Sequence, residues 1–471
     1  MSKNQKDIIL NDLKELIAIK SVLSDPQDAA PFGPGCKSAL DWFLDKANSY
    51  GLATGQSEGY CGWAEYGEGT ECVAALCHLD IVPAGEDWAT NPFKLTIRDS
   101  KLLGRGVTDD KGSAVMCLHA LKDIKERGLP LKRRIRVIVG LNEENGSKCM
   151  LHYVEHCEIP AASFVPDADF PLINSEKGIL HLKARVPLDK FFKDNIASIG
   201  GGESFNVIPD RASISIFADS PFGQKLKAIC GNKIAECVFT NSEIVGAILA
   251  GGHRIEDYTI RDGGELITIE ARGKSGHAMA PHKADNAVWK LFSFLNGPAG
   301  DSPLVENLCA YFCTVKSAEK LGIYKSDEES GDTTISMGVI EVDDKTLSFS
   351  LDIRLNITNN HEDVKKKILA ALPARSKLED VRFSPNLFVS KNSRLITTLL
   401  GVYKDVTGLD VYCHRSGGGT YARTIPNAVA FGPTFPGVVT NIHKPNECMP
   451  LEDFFAAAEV YKEAFIRLAN G

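Results

Sequence analysis

Nine acidic or imidazole residues stand at the ends of apolar runs or in glycine-containing turns: His78, Asp80, Asp109, Asp110, Glu143, Glu144, Asp167, Asp169 and His443. Histidine and carboxylate side chains are ligands for zinc or a similar divalent ion. Five such ligands exceed what one catalytic zinc with an open position takes. They suit two ions bridged by a carboxylate and a water. Taken singly, each group has a plainer account. His78 and Asp80 end the apolar run that opens "VAALCHLDIVPAGEDW" and could simply cap a strand end. An acidic N-cap explains Asp109 or Asp110 in "GRGVTDDKG" without requiring both. A Glu-Glu pair is most often solvated surface, but in "LNEENG" it follows the core-like run "IRVIVG". The constellation is worth more than any member.

The elements that must position these groups are short apolar strands and amphipathic helices. Val73 to Cys77 is strand-like, so His78 and Asp80, two apart, would share a face. Ala39 to Ser49 and Ser113 to Glu126 have helical patterns, the second ended by Gly128. "RIRVIVGLNEEN" is a β-branched strand running into two glutamates, which in extended chain would face apart. "SFVPDADFP" is a shorter strand ending in acids. This order predicts an α/β domain with a largely parallel sheet flanked by helices, its ligands beyond the carboxyl ends of the strands. Near Lys183 the pattern changes to alternating strands, "ILHLKARVP", "ASISIFA", "LITIEARG" and "LSFSLDIRLNI", with helices such as "NAVWKLFSFL" between them. After about Phe388 the α/β character returns, with helices from Ser393 and Leu451. The expectation is a catalytic domain, residues 1–183 and 388–471, interrupted by an inserted α+β domain, residues 184–387, with room for two similar subdomains.

The bulk composition narrows the function class. The 471 residues allow two or three domains, and 44% hydrophobic with 24% charged residues is a globular balance. A formal charge of −8 argues against nonspecific nucleic-acid binding, which needs a basic surface. "MSKNQKDIILNDLKELIAI" reads as an amphipathic helix with charges inside it, not a signal peptide, and no apolar run approaches a membrane span. The 13 cysteines then read as buried or reduced thiols of a cytoplasmic protein. They form no CxxC pairs. Cys77, Cys149, Cys413 and Cys448 lie near the motifs and read as small buried thiols.

"CHLDIVPAGEDW", "GRGVTDDKGS", "LNEENGSKC", "PDADFPLINSEKG" and "NIHKPNE" together resemble, in order, the metal-site motifs of the co-catalytic di-zinc peptidases. That family includes carboxypeptidase G, acetylornithine deacetylase, succinyl-diaminopimelate desuccinylase and aminoacylase. "PFGPGCKSALDWFL" and "GGTYARTIPNAVAFGPTFPG" bring the resemblance closest to its PepV-type bacterial dipeptidases. The resemblance implies that His78 and Asp167 hold one metal, Glu144 and His443 the other, and that Asp109, first acid of "DDKG", bridges them. It implies zinc, with manganese or cobalt as alternatives. Asp80 would accept a hydrogen bond from His78 and fix its tautomer. Glu143 would be the general base.

The inserted domain would be the family's lid. "GKSGHAMAPHKADNA" resembles the lid-histidine motif, giving His277 the task of polarising the scissile carbonyl. Asn206 in "GGESFNVIPDRAS" falls at a substrate-contacting position, and Arg354 in "LDIRLN" at the position that receives the substrate's carboxylate. Gly418 and Gly419, within the Gly417–Gly419 turn, with Thr420, would offer backbone amides to the same end. The enlarged lid implies a monomer whose lid mimics a dimer partner. Two positions depart from the pattern: Gly276 stands where relatives carry Ser or Thr, and Ala284 where glycine is usual.

The implied activity is a cytoplasmic dipeptidase acting on short peptides with free termini, with no nucleic-acid or membrane partner. The alternative is an N-acyl amino-acid deacylase or carboxypeptidase with the same metals and base. A catalytically dead binding protein would be expected to have lost a ligand or Glu143, and this chain has them all. "GKS" at Gly273–Ser275 is no P-loop, since Thr268 replaces the required glycine. "GRG" and "GGG" lack the strand–helix context of a dinucleotide site.

Overall fold

A computed structural model of the chain describes residues 1–230, 254–296 and 302–471. The contacts divide it into two units: Met1–Glu176 with Leu387–Gly471, and Lys177–Asn386.

The first unit is built on a nine-stranded sheet. Its centre is parallel: Arg134–Gly140, Cys72–His78, Ala162–Val165 and Ala428–Ala430 lie side by side in that order. Cys72–His78 is buried at every position and Arg134–Gly140 at all but the first. Strands covered on both faces read as continuous apolar runs, and these two do. The flanks are antiparallel, which the sequence patterns did not predict. Cys61–Tyr66 and Ala53–Ser57 form a hairpin on one side, and Ile173–Glu176 with Leu387–Phe388 close the other. The helix Lys111–Glu126, buried along most of its length, packs against Lys3–Ile17 and Leu451–Asn470. Among the described residues no helix is long and apolar enough to cross a membrane.

Among the described residues the second unit is built on an eight-stranded antiparallel sheet. Strands such as Arg211–Phe217 and Leu266–Arg272 alternate buried with half-buried or exposed residues, their buried face against helix Ala287–Asn296. Thr346–Leu355, at the middle of one half, is buried almost throughout. Two four-stranded halves join where Ile196–Gly201 meets Thr334–Val342 through two register pairs. The break from the first unit lies at Glu176/Lys177, not at 183/184. Gly178–Pro187 is one unbroken strand of this sheet, and a cut at 183 would divide it. The two units have separate apolar cores.

Candidate metal centre

The parallel strands deliver the chemistry at their carboxyl ends. His78 is the last residue of Cys72–His78, Asp167 follows Ala162–Val165 by two, and Glu143 and Glu144 follow Arg134–Gly140. Asp109 directly precedes Asp110, the N-cap residue of helix Lys111–Glu126. His443 comes from the loop before Cys448–Pro450, with its backbone in the left-handed region at φ 61°. That conformation is uncommon for a residue with a side chain, and such residues collect at functional sites.

Asp109 is the shared member. Its Oδ1 lies 2.9 Å from His78 Nε2 and its Oδ2 lies 2.8 Å from His443 Nε2. Asp167 Oδ2 is 3.6 Å from His78 Nε2, and Glu144 Oε2 is 3.1 Å from His443 Nε2. Two triads result, His78–Asp109–Asp167 and Asp109–Glu144–His443, each offering ligand atoms within 4.8 Å of one another. His78 Nε2 and Glu144 Oε1 are buried without a hydrogen-bond partner, a state that costs free energy unless something else satisfies them. The donor set and these orphaned atoms fit a divalent cation in each triad. His78 is 1% exposed and His443 52%, so one triad is deep and the other opens to solvent.

The electrostatics call for positive charge. Burial pushes Asp167 up to about 6, with the Asp109 charge adding to it. Burial likewise raises Glu143 far above the ordinary glutamate range and raises Glu144. Hydrogen bonds to Asp109 and Glu144 hold His443 up to about 11. Burial opposes ionisation of Asp109, but the neighbouring His443 and His78 rings outweigh it and keep the carboxyl below the usual range. Crowded carboxylates of this kind are stabilised by bound cations.

Asp80 supports the centre differently from its sequence-stated role. His78 Nδ1 donates to the backbone carbonyl of Asp80 at 2.9 Å, while the nearest carboxylate oxygen is 3.4 Å away. A carbonyl only accepts, so Nδ1 carries the proton and Nε2 presents its lone pair. The carboxylate itself accepts the amides of Glu143 at 3.0 Å and Glu144 at 3.1 Å. Those glutamates lie in a turn, not in extended chain, because Gly146 closes back on the Glu143 carbonyl. Asp110, set aside in favour of Asp109 as a ligand, accepts the His78 amide at 3.1 Å. Glu447 and Arg105 were missed. Both are buried and paired at 2.6 Å, and the only sequence signal was the acid closing "NIHKPNE".

The glycine-rich loop also differs from expectation. Thr420 donates its amide (3.1 Å) and hydroxyl (2.8 Å) to Glu176, and the Gly418 amide goes to Ser416 Oγ (3.0 Å). Those donors hold the loop itself, since Glu176 is fully buried and needs them. Gly419 packs against the guanidinium of Arg423, which also reaches Glu176. Tyr421 from this loop lies across the end of Arg134–Gly140. A Cβ on Gly140 would meet its hydroxyl at 2.2 Å, so only glycine fits there. Cys77, Cys149 and Cys448 are buried thiols, whereas Cys413 is half-buried.

In the second unit Asn206 and His277 come together. Val207 pairs with His277 in a two-stranded ribbon, and Ala278 donates to the Asn206 carbonyl. His277 Nδ1 accepts the Met279 amide at 3.1 Å. Thr334, register partner of Arg354, reaches the Met279 carbonyl at 3.4 Å. Arg354 is buried, and its Nε and Nη2 grip Asp352 at 2.6 and 2.7 Å. Asp352 in turn takes His181 Nε2 at 3.0 Å.

The profile of peptidase family M20/M25/M40 matches residues 74–467. "Putative dipeptidase YtjP" of Bacillus subtilis is 31% identical over 475 residues, covering 99% of this chain and 98% of the relative. "Putative dipeptidase SH1171" of Staphylococcus haemolyticus is 30% identical over 471 residues, covering 98% and 97%. Human carnosine dipeptidase 1 shares the fold with a TM-score of 0.58 at 16% identity, over 99% of this chain and 98% of that one. Aminopeptidase PepT from Bacillus cereus shares it with a TM-score of 0.56 at 15% identity, over 99% of each. This chain belongs to peptidase family M20/M25/M40 and is a metal-dependent peptide hydrolase.

Proposed function

We propose that the chain is a two-metal dipeptidase that hydrolyses short peptides with free termini. The observation that carries this is Asp109, whose two carboxylate oxygens reach His78 on one side and His443 on the other. His78 and Asp167 would hold one ion, Glu144 and His443 the second, and Asp109 would serve both. Zinc suits this set, and manganese or cobalt would also be accepted. Ions held there would acidify a water and polarise the scissile carbonyl.

The remaining steps belong to side chains. Glu143, its pKa pushed up by burial, takes the proton of the attacking water and passes it to the leaving amine. Asp80 fixes Glu143 through its amide. The Met279 amide makes His277 Nδ1 the acceptor, so the neutral ring carries its proton on Nε2. An Nε2–H is what polarising a carbonyl and stabilising an oxyanion requires. Arg354, oriented by Asp352, would take the substrate's carboxylate, with Asn206 and Gly419 as further contacts. Thr420 would act by holding its loop through Glu176 rather than by touching substrate. Eleven cysteines among the described residues are free thiols, in keeping with a cytoplasmic protein. The two-halved second unit is in keeping with a monomer whose lid mimics a dimer partner.

The test is metal-reconstituted activity on dipeptides, tripeptides and N-acyl amino acids, with metal content measured in parallel. Two ions per chain, dipeptide hydrolysis, and a loss of about 100-fold or more in kcat for Glu143→Gln with both ions retained are expected. Hydrolysis of N-acyl amino acids alone would make it a deacylase. Fewer than two ions, or full activity of Glu143→Gln, would overturn the mechanism.

A further inference from the structure

Three segments that carry or flank the candidate ligands meet on one buried ion pair whose two members are 342 residues apart in sequence. Arg105 Nη1 lies 2.6 Å from Glu447 Oε2, and the residues are 1% and 0% exposed. Glu447 Oε1 accepts the amides of Gly106 (3.1 Å), Thr108 (3.0 Å) and Asp109 (3.2 Å). The Thr108 hydroxyl donates to the Cys448 carbonyl, and the Gly104 amide to the Glu447 carbonyl. On the other side Arg105 Nη2 faces the carbonyls of Pro83, Ala84 and Lys444, each at 3.4 Å. Its guanidinium lies 5.3 Å from the centre of the Trp88 ring.

We infer that Arg105 and Glu447 are positioning residues that set the Asp109 and His443 ligand loops in register with each other. The inference rests on the metal reading above. The carboxylate grips the backbone of Asp109 itself, and the guanidinium faces the carbonyl next to His443. Asp109 reaches His78 through one oxygen and His443 through the other, so a shift of its backbone moves both contacts at once. A buried charge pair is weak evidence for stability, because desolvation offsets most of its attraction. Holding two loops at one geometry is a task that a rigid, charge-assisted fork performs well. Outer partners of metal ligands typically change metal affinity or activity by 10–100-fold.

The test uses the full chain, stripped of metal, in wild type, Glu447→Gln and Arg105→Lys. Glu447→Gln keeps an oxygen for the three amides and loses the charge. Arg105→Lys keeps the charge and loses the planar fork. Zinc and manganese affinities are measured by chelator competition, amide hydrogen exchange over residues 104–110 without metal, and kcat and KM on a dipeptide. The expected result is an affinity loss of about 10–100-fold for at least one ion, faster exchange at Gly106, Thr108 and Asp109, and a lower kcat with KM within about twofold. Affinity and kcat within about twofold of wild type, whatever happens to the melting temperature, would reduce the pair to a structural staple. If Glu447→Gln fails to fold, Arg105→Lys decides by the same measurements. Should wild type take up two ions but cleave no dipeptide, the dipeptidase reading fails while the affinities still judge the pair. Should it take up none, both fall.

Discussion

Asp80 Oδ1 accepts the backbone amide of Glu143 at 3.0 Å. Its other oxygen takes the Glu144 amide, and its carbonyl takes His78 Nδ1, so one residue joins an imidazole to the glutamate pair. The carboxylate therefore serves the turn, and the peptide carbonyl serves the histidine.

Asp80→Asn separates these tasks. Its amide nitrogen must face the N–H of Glu143 or Glu144, replacing one hydrogen bond by two opposed donors, while the carbonyl bond to His78 survives. We expect kcat on a dipeptide to fall about 10–100-fold, with affinity for the ion at His78 falling less. If affinity at His78 drops as far as kcat does, the carboxylate is orienting the imidazole after all.

Removing metal should lower stability more than ordinary ligand loss suggests, because the carboxylates around Asp109 are left to repel one another. An ion present at about 100 times its Kd stabilises by about 2.7 kcal/mol. Thermal unfolding with chelator, then with zinc or manganese restored, should show a fall and a recovery in Tm. A Tm indifferent to chelation would contradict the two triads as cation sites.

A second buried network, away from the centre, sets an acid limit. Asp12 takes His119 Nε2 at 2.8 Å and Lys46 Nζ at 3.0 Å, together with the Tyr50 hydroxyl. Burial opposes its ionisation, but the hydrogen bonds from His119, Tyr50 and Lys46 win and hold the carboxyl below its ordinary value of 3.8. A lowered acid contributes stability above its unfolded value and loses it as pH falls through the folded one. Asp12→Asn should cost about 3 kcal/mol at pH 7, and the difference from wild type should shrink as the medium is acidified below the ordinary value. Denaturant titrations at neutral and acid pH measure both, and a pH-independent difference would refute the linkage.

The two departures from the lid motif touch each other. A Cβ on Gly276 would stand 2.7 Å from the Cβ of Ala284, closer than real side chains come. Gly276→Ser alone should lower stability and disturb the neighbouring His277, and adding Ala284→Gly should restore both. We expect a coupling of about 0.5–3 kcal/mol in a double-mutant cycle. Additive effects would mean that the two positions changed independently.

What the sequence made legible follows from range. His78, Asp109, Glu144, Asp167 and His443 each sit in a local motif at a strand or helix end, and the structure gathers those ends into two triads. The parallel core was readable from its unbroken apolar runs, while its antiparallel flanks were not, because pairing direction leaves no mark on a short strand. Adjacent glutamates were read as extended chain, yet the Asp80 carboxylate needs them in a turn. The donors of Thr420 were assigned outward because their acceptor, Glu176, lies 244 residues away. Glu447 was passed over for the same reason, 338 residues from the Asp109 amide.

Glu176 and Leu387 face each other across one rung of the first sheet, although all of Lys177–Asn386 runs between them. The intervening segment is thus a guest spliced into a hairpin-sized gap. Among the described residues its buried apolar core runs from Leu180 to Leu372, so it is synthesised before its host's Ala428–Ala430 and last helix. Domains fold as units as they emerge. Synthesis therefore reverses the order of the chain: the part that begins second is finished first, and the metal-binding host must wait for His443 before Asp109 has both of its partners.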